Sequence, residues 1–330
     1  MHTVFSDGLV WPTVRVDEAY REGLDAIALT EHIEYRPHKK EMVAHHGRSF
    51  EIAEKSAEEK GILLIKGSEI TRGMAPGHSN AIFLKDCNLL EQKEWKDAFE
   101  QARLQGAFMF WNHPGWDKQQ PDTTRWFPEH TYLYDQGCMQ GIEVANGKSY
   151  FPEAIDWCLE KGLTMIGTSD IHQPIQTDVD FARGEHRTMT LVFAKERTIP
   201  SIQEALLAGR TAVYFNEMVI GKEEYLKQLF ENSIETIETK KTKQGVTYTL
   251  VNHSDLSFHL RKTEHDNRIV YFRDYVIQPH CRHTITVGLT NLAEGEVRFD
   301  VVNFLIGKGK SLKYAFKVAS GGDDPKKLVE

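Results

Sequence analysis

Between residues 24 and 215, short apolar runs alternate with helical stretches, and the runs keep ending in a histidine or a carboxylate. Leu24-Asp25-Ala26-Ile27-Ala28-Leu29 stops at Thr30-Glu31-His32, and Ile62-Leu63-Leu64-Ile65-Lys66-Gly67 stops at Ser68-Glu69. Ala107-Phe108-Met109-Phe110-Trp111 runs into Asn112-His113-Pro114-Gly115, and Leu163-Thr164-Met165-Ile166-Gly167-Thr168 runs into Ser169-Asp170-Ile171-His172. Gly141-Ile142-Glu143-Val144-Ala145-Asn146 carries its carboxylate inside the run. Such runs read as strands buried on both faces. Residues 188–194 and 211–215 read as two more. Helices are expected over about residues 14–22 (stopped by Gly23), 38–60, 91–105, 151–161 and 199–208. The alternation implies a parallel sheet of right-handed βαβ units. Seven or so units in about 215 residues suit a closed (β/α) barrel better than an open doubly wound sheet. No Gly-rich phosphate loop follows the first strand. In barrels the functional residues lie at the C-terminal ends of strands. His2, His32, Glu69, His113, Glu143, Asp170 and His172 all fall at or near such ends.

The opening octapeptide, Met1-His2-Thr3-Val4-Phe5-Ser6-Asp7-Gly8, reads as a strand running into a polar loop, with His2 and Asp7 five positions apart. Past Phe215 the texture changes. A charged helix over about residues 222–233 and a Lys/Thr-rich stretch at 238–244 precede β-rich segments at 246–251, 269–272, 283–287 and 297–302. These read as a small antiparallel β-sandwich of about 100 residues. The division expected is therefore a barrel over 1–215, then a linker helix and β-sandwich over 216–330. His253, His259, His265, His280 and His283 share no spacing and read as surface or core residues.

A net charge of −8 with no Lys/Arg cluster gives no basic surface for nucleic acid. No apolar run approaches the roughly 20 residues of a membrane span. Cys87, Cys138, Cys158 and Cys281 show no C-x-x-C spacing, so neither a zinc ribbon nor a redox pair is expected. Fifteen histidines is a high count. Imidazole with carboxylate suits Zn²⁺, Mn²⁺ or Fe²⁺, and a carboxylate can bridge two ions. His2, Asp7, His32, Glu69, His78, His113, Asp170 and His172 are too many for one tetrahedral ion and suit two or three. Neighbouring ions can stabilise the attacking and leaving oxygens of a phosphoryl displacement.

The ordered set Met1–Gly8, Thr30-Glu31-His32, Gly67-Ser68-Glu69, Asn112-His113-Pro114-Gly115 and Ser169-Asp170-Ile171-His172 resembles the motifs of the PHP (polymerase and histidinol phosphatase) family over about residues 1–215. The resemblance implies a distorted (β/α)7 TIM-like barrel, two or three divalent ions, and hydrolysis of phosphate mono- or diesters by a metal-activated hydroxide. It implies one ion on His2, Glu69 and Asp170. A second would be bridged by Glu69 to His78 and His113, and a third held by Asp7, His32 and His172. His78 precedes its strand instead of ending one, and Glu31 stands where the family more often has Asp. The family's opening His-x-His would begin before Met1, so a truncated N-terminus is expected and the compartment, cytoplasmic or periplasmic, stays open. Asp170 and His172 are the candidate catalytic residues at the centre. Arg187 joins them as a phosphate contact, with Arg183 and His186 as further candidates beside it. Glu143 and Asn146 are expected to orient ligands, Trp116 to wall the pocket, and Trp111 to serve in packing. The substrate expected is a small phosphorylated molecule. A non-catalytic metal-binding module and a metal-dependent amidohydrolase are the alternatives.

Overall fold

The computed structural model describes residues 1–263 and 266–321, so His265 lies outside the described residues. The chain divides into two compact units, Met1–Asn216 and a second beginning at Glu217.

In the first unit, α1 (Pro12–Arg21), β1 (Ala26–Leu29), α2 (Arg48–Lys60), β2 (Leu63–Ile70), β3 (Ser79–Ile82), α3 (Trp95–Leu104), β4 (Phe108–Trp111), α4 (Pro128–Asp135) and β5 (Gly141–Asn146) follow in order. They are succeeded by β6 (Ser149–Tyr150), α5 (Pro152–Lys161), β7 (Thr164–Thr168), α6 (Ile175–Asp178), β8 (Met189–Val192), α7 (Ile199–Leu207) and β9 (Thr211–Phe215). Seven strands join in the order β1-β2-β3-β4-β5-β6, with β7 paired to β5. The pairs β1–β2, β4–β5 and β5–β7 are parallel, as the alternation of runs and helices implies. The pairs β2–β3 and β3–β4 are antiparallel, contrary to the all-parallel expectation. The reason is reach: only residues 71–78 join β2 to β3, and a parallel return needs a crossover of about a dozen residues or more.

Two further expectations are corrected. Helix α2 starts only at Arg48. The polar stretch before it offers no periodic apolar face to bury and folds as turns. Residues 1–8 form no strand but turns. Even so, the Thr30 N–H donates to the Met1 carbonyl (3.0 Å) and the His2 N–H to that of Ile171 (3.1 Å). The first two residues thus lie beside the segments that leave β1 and β7. Under the site, Ile65, Ile82, Phe108, Phe110 and Ile166 pack into one apolar cluster drawn from β2, β3, β4 and β7. Each such burial contributes about 1.5–3 kcal/mol.

In the second unit, β10 (Met218–Gly221) and α8 (Glu223–Ser233) precede β11 (Ile234–Thr242), β12 (Gly245–Asn252), β13 (Phe258–Lys262), β14 (Ile269–Val270), β15 (Asp274–Ile277), β16 (Arg282–Leu289), β17 (Glu294–Gly307) and β18 (Lys310–Ala319). The strands β11-β12-β16-β14 form one antiparallel sheet. The long strand β17 pairs with β18, β13 and β10, and β13 pairs with β15. Tyr248 of the first sheet meets Phe316 of the second, ring centroids 5.3 Å apart. The Lys/Thr-rich stretch 238–244 lies mostly in β11. Its alternating partner β12 supplies the ladder that composition alone does not suggest.

Helix α4 ties the β2–β3 connection to the rest of the unit. His130 is fully buried and stacks on Trp111 at 3.7 Å. Its Nδ1 accepts from the Phe127 N–H (3.0 Å), so Nε2–H donates to the Pro76 carbonyl (2.8 Å). Burial lowers its pKa to about 4, against the opposing pull of the Pro76 carbonyl. Between that value and the ordinary 6.5 the unfolded chain binds more protons. This contribution is therefore complete above pH 6.5 and is lost as pH falls toward 4, on the order of 3 kcal/mol in all. His130→Gln should flatten the dependence of unfolding free energy on pH over that range, as read by denaturant titration.

Candidate metal centre

Six segments deliver the cluster: the opening turn, the residues after β1, the end of β2, the residue before β3, the residues after β4 and those after β7. Strand β3 runs opposite to its neighbours, so His78 at its start lies at the edge where β2 and β4 end. The Asn112 N–H donates to the His78 carbonyl (3.0 Å) and the Asn80 N–H to Asn112 Oδ1 (3.1 Å), carrying the register on to His113. His113 and Asp170 adopt left-handed backbone conformations, φ 30° and 48°. Such geometry costs roughly 1–3 kcal/mol per residue and clusters at functional sites.

The opening turn is held from two sides. The Ser6 and Gly8 N–H groups donate to the Thr3 carbonyl, and the buried Glu31 carboxylate accepts from the Thr3 N–H and the Thr3 and Ser6 hydroxyls. A β-carbon on Gly8 would stand 2.6 Å from the His2 carbonyl group, so only glycine closes this turn and sets Asp7 in place. Arg15, fully buried, donates to the carbonyls of His2 (3.0 Å), Gln173 (2.8 Å) and Ile171 (3.2 Å) and pairs with Glu18 (2.7 Å). It thereby clamps the opening segment to the segment carrying Asp170 and His172. Sequence reading passed over Arg15, because nothing local distinguishes it from a surface residue of an amphipathic helix. It treated Glu31 only as a neighbour of His32.

The eight candidate ligands converge in three groups whose ligand atoms lie within 4.8 Å of one another: His2, Asp7, His32 and His172; Glu69, His78 and His113; and His2, Glu69 and Asp170. Glu69 stands between groups. Its Oε2 lies 3.3 Å from His2 Nε2, and its Oε1 lies 2.8 Å from His78 Nδ1 and 3.2 Å from His32 Nδ1. His2 Nε2 is also 3.0 Å from Asp170 Oδ1. Asp7 Oδ1 lies 3.3 Å from His32 Nε2 and 3.2 Å from His172 Nε2. His172 Nδ1 is bonded to the Asp170 carbonyl (2.7 Å), which turns Nε2 toward the centre. Both Glu69 oxygens, Asp7 Oδ1 and His113 Nδ1 are buried without a hydrogen-bond partner. Imidazole nitrogens and carboxylate oxygens that converge in this way are what a cation satisfies once the imidazoles give up their protons.

Electrostatics agree. Burial opposes ionisation of Asp7, Glu69 and Asp170, yet the neighbouring imidazoles hold all three below the carboxylate range. Burial would lower His32, but Glu69 and Asp7 push it up to about 10, and Asp7 likewise raises His172. Burial lowers His113 and keeps its imidazole neutral. Glu143, pushed up to about 8 by burial and by Asp170, accepts from the His113 N–H (2.6 Å), Asn146 Nδ2 (2.7 Å) and the Thr168 hydroxyl (2.7 Å). Asn146 also reaches Asp170 Oδ2 at 3.4 Å.

Arg187 is placed differently from its expected role. Its buried guanidinium is committed to Glu22, with Nε 2.7 Å from Oε2, so a phosphate would have to displace a buried partner. Arg183 is exposed and pairs with Asp180 (3.3 Å), while His186 stacks on Tyr214 at 3.7 Å. Both the Arg183 pairing and the burial of Arg187 depend on segments far away in sequence or in the same loop's folded form. Trp116 stands edge-on to His113 and Trp111 is core. In the second unit His253 pairs with Glu235 and His280 with Asp255, His259 contacts Ser257, and His283 packs on Tyr275. No group of metal-ligating side chains forms there among the described residues.

A multi-centre ligand set at one edge of an α/β sheet, followed by a β-rich unit, defines the class of protein. The chain is 63% identical to a two-domain protein from Bacteroides vulgatus that contains a predicted PHP-like metal-dependent phosphoesterase, with a TM-score of 0.95 over 96% of this chain and 93% of that one. The chain belongs to this PHP-like family. Residues 232–317 match DUF5001, an Ig-like domain family. Lower similarity is found to a candidate metal-dependent phosphoesterase from Bifidobacterium adolescentis (15% identity, TM-score 0.43, 63% of this chain and 94% of that one). An amidohydrolase from Chromobacterium violaceum follows (17%, 0.39, 54% and 87%). No curated protein matches the chain. Among the described residues no helix is long and apolar enough to cross a membrane.

Two outcomes test the centre. A divalent cation must displace the His32 proton, so affinity should rise with pH and binding near pH 7 should release protons. Calorimetry in buffers of different ionisation enthalpy reads that release. Arg15→Lys keeps a cation beside Glu18 but supplies fewer donors to the clamp. Bound metal should fall by about one ion per chain, measured by elemental analysis after dialysis.

Proposed function

We propose that the chain is a hydrolase of phosphate mono- or diesters that works with two or three divalent ions, Zn²⁺, Mn²⁺ or Fe²⁺, in a distorted (β/α)7 barrel domain spanning about residues 1–215. The observation that carries this reading is Glu69. It is a buried carboxylate whose two oxygens face two different sets of imidazoles. A bridging carboxylate is how neighbouring divalent ions are held together. The His2–Ile171 and Met1–Thr30 hydrogen bonds support closure of the barrel between β1 and β7.

In this reading His2, Glu69 and Asp170 hold one ion, Glu69, His78 and His113 a second, and Asp7, His32 and His172 a third. Such ions supply positive charge to the phosphoryl oxygens and acidify a water. The protein holds its ligands rigid: Arg15 and Glu31 fix the opening turn, Glu143 fixes the His113 backbone, and the Asp170 carbonyl fixes the His172 tautomer. Asp170 and His172 act at the centre, bracketing the ligand set from one turn. Phosphate recognition rests on the ions in place of Arg187. Among the described residues, the β-rich second unit contributes no ligand.

The test is direct. The protein loaded with Zn²⁺ or Mn²⁺ should hydrolyse 4-nitrophenyl phosphate or bis(4-nitrophenyl) phosphate, lose the activity on chelation and regain it on metal return. Glu69→Gln should lower kcat by about 10³-fold or more, in line with removing a charged group from a preorganised site. Full activity after exhaustive metal removal would overturn the proposal.

A further inference from the structure

His32 faces two candidate ions at once. Its Nε2 lies 3.3 Å from Asp7 Oδ1, in the group with His172. Its Nδ1 lies 3.2 Å from Glu69 Oε1, the oxygen that also meets His78. Distance to the carboxylates therefore does not assign the ring to either ion. Thr71, at the start of the β2–β3 connection, does. Its hydroxyl oxygen stands 2.6 Å from His32 Nδ1, whereas Glu69 Oε1 makes no hydrogen bond at its longer approach. The Thr71 O–H donates to the Glu69 carbonyl (3.3 Å), which leaves the lone pairs of its oxygen for the Nδ1–H of His32. His172 is built the same way, with Nδ1 on the Asp170 carbonyl (2.7 Å) and Nε2 3.2 Å from Asp7 Oδ1. Two imidazoles thus flank one carboxylate oxygen, each anchored at Nδ1 and each presenting Nε2.

The anchor on His32 is fixed by groups that are not ligands. The Thr71 N–H donates to Glu34 Oε2 (2.7 Å), and Glu34 Oε1 pairs with Arg72 Nε (2.7 Å). Arg72 in turn donates to the carbonyls of Gln92 (2.6 Å) and Lys93 (3.0 Å). Threonine's branched side chain has few χ1 positions, so a backbone held at this point also aims the hydroxyl. We propose that Thr71 is a positioning residue that keeps the proton on His32 Nδ1. It thereby commits Nε2 to the ion shared with Asp7 and His172 and withholds the ring from the ion on Glu69, His78 and His113. This rests on the assignment of the ligands to separate ions. An outer group that orients a ligand imidazole is worth about 10- to 100-fold in metal affinity, and here the loss should fall on one ion.

Calorimetric titration of metal-depleted protein with Zn²⁺ separates the sites by affinity. Thr71→Val keeps the branched shape without the hydroxyl and should weaken one site by that factor, with the others unchanged. Thr71→Ser returns the hydroxyl and should restore the site. Nitrogen NMR of isotope-labelled, Zn²⁺-loaded protein reads the ring directly and needs no variant to fold: His32 should carry its one ring proton on Nδ1. A proton on Nε2 overturns the inference and leaves the metal-centre reading standing. So do wild-type affinities at every site of Thr71→Val, an equal fall at all of them, or a serine variant as weak as the valine one. Wild-type protein that binds no Zn²⁺ overturns the metal-centre reading, and the inference with it.

Discussion

Glu69 is a fully buried carboxylate at the end of a central strand, and burying an unpaired charge would cost several kcal/mol. The chain offsets that cost with imidazoles from His2, His32 and His78, which come from the opening turn, the β1 end and the start of β3. Much of the first unit's organisation answers this one demand. The antiparallel β3 brings His78 to Glu69 Oε1, and the opening turn brings His2 to Glu69 Oε2. Loss of either approach would leave the same charge buried with less compensation. The site and the stability of this edge of the sheet are therefore one problem.

The support beneath the ligands is polar and continuous. Arg15 binds three carbonyls of two separate segments, Glu31 binds the opening turn, and Glu143 gathers His113, Asn146 and Thr168. Fully satisfied buried networks of this kind rigidify a site, because each bond polarises the next in a low-dielectric interior. Below them the strands pack apolar side chains against one another. The sheet thus supplies rigidity from packing, and its edge supplies charge. The left-handed backbones of His113 and Asp170 lie where these two layers meet.

Several features were legible in the residues alone. Buried parallel strands require unbroken apolar runs, and runs that stop abruptly at His32, Glu69, His113 and Asp170 mark the edge at which polar groups emerge. The ordered motifs also carried the family, which the 63% identity to the two-domain B. vulgatus protein shows. The antiparallel direction of β3 departs from the all-parallel expectation, because the short stretch 71–78 leaves no length for a crossover, and that direction explains why His78 precedes its strand. Arg187 could not be read in the same way. Its partner Glu22 lies far away in sequence, and a free guanidinium and a buried ion pair look alike in a string of residues.

The sequence by itself determined the period and length of the apolar runs, and with them the α/β class, the β-rich second half and the set of side chains able to hold a cation. These are local properties, set by side-chain chemistry and by how far a given number of residues can reach. Only the tertiary structure decided which oxygen of Glu69 faces which histidine, that Arg15 and Glu31 hold the opening turn, and that Arg187 is consumed in the core. Each of those depends on segments distant in the chain meeting within hydrogen-bonding distance. No local pattern encodes such a distance; the packing of the whole sheet does.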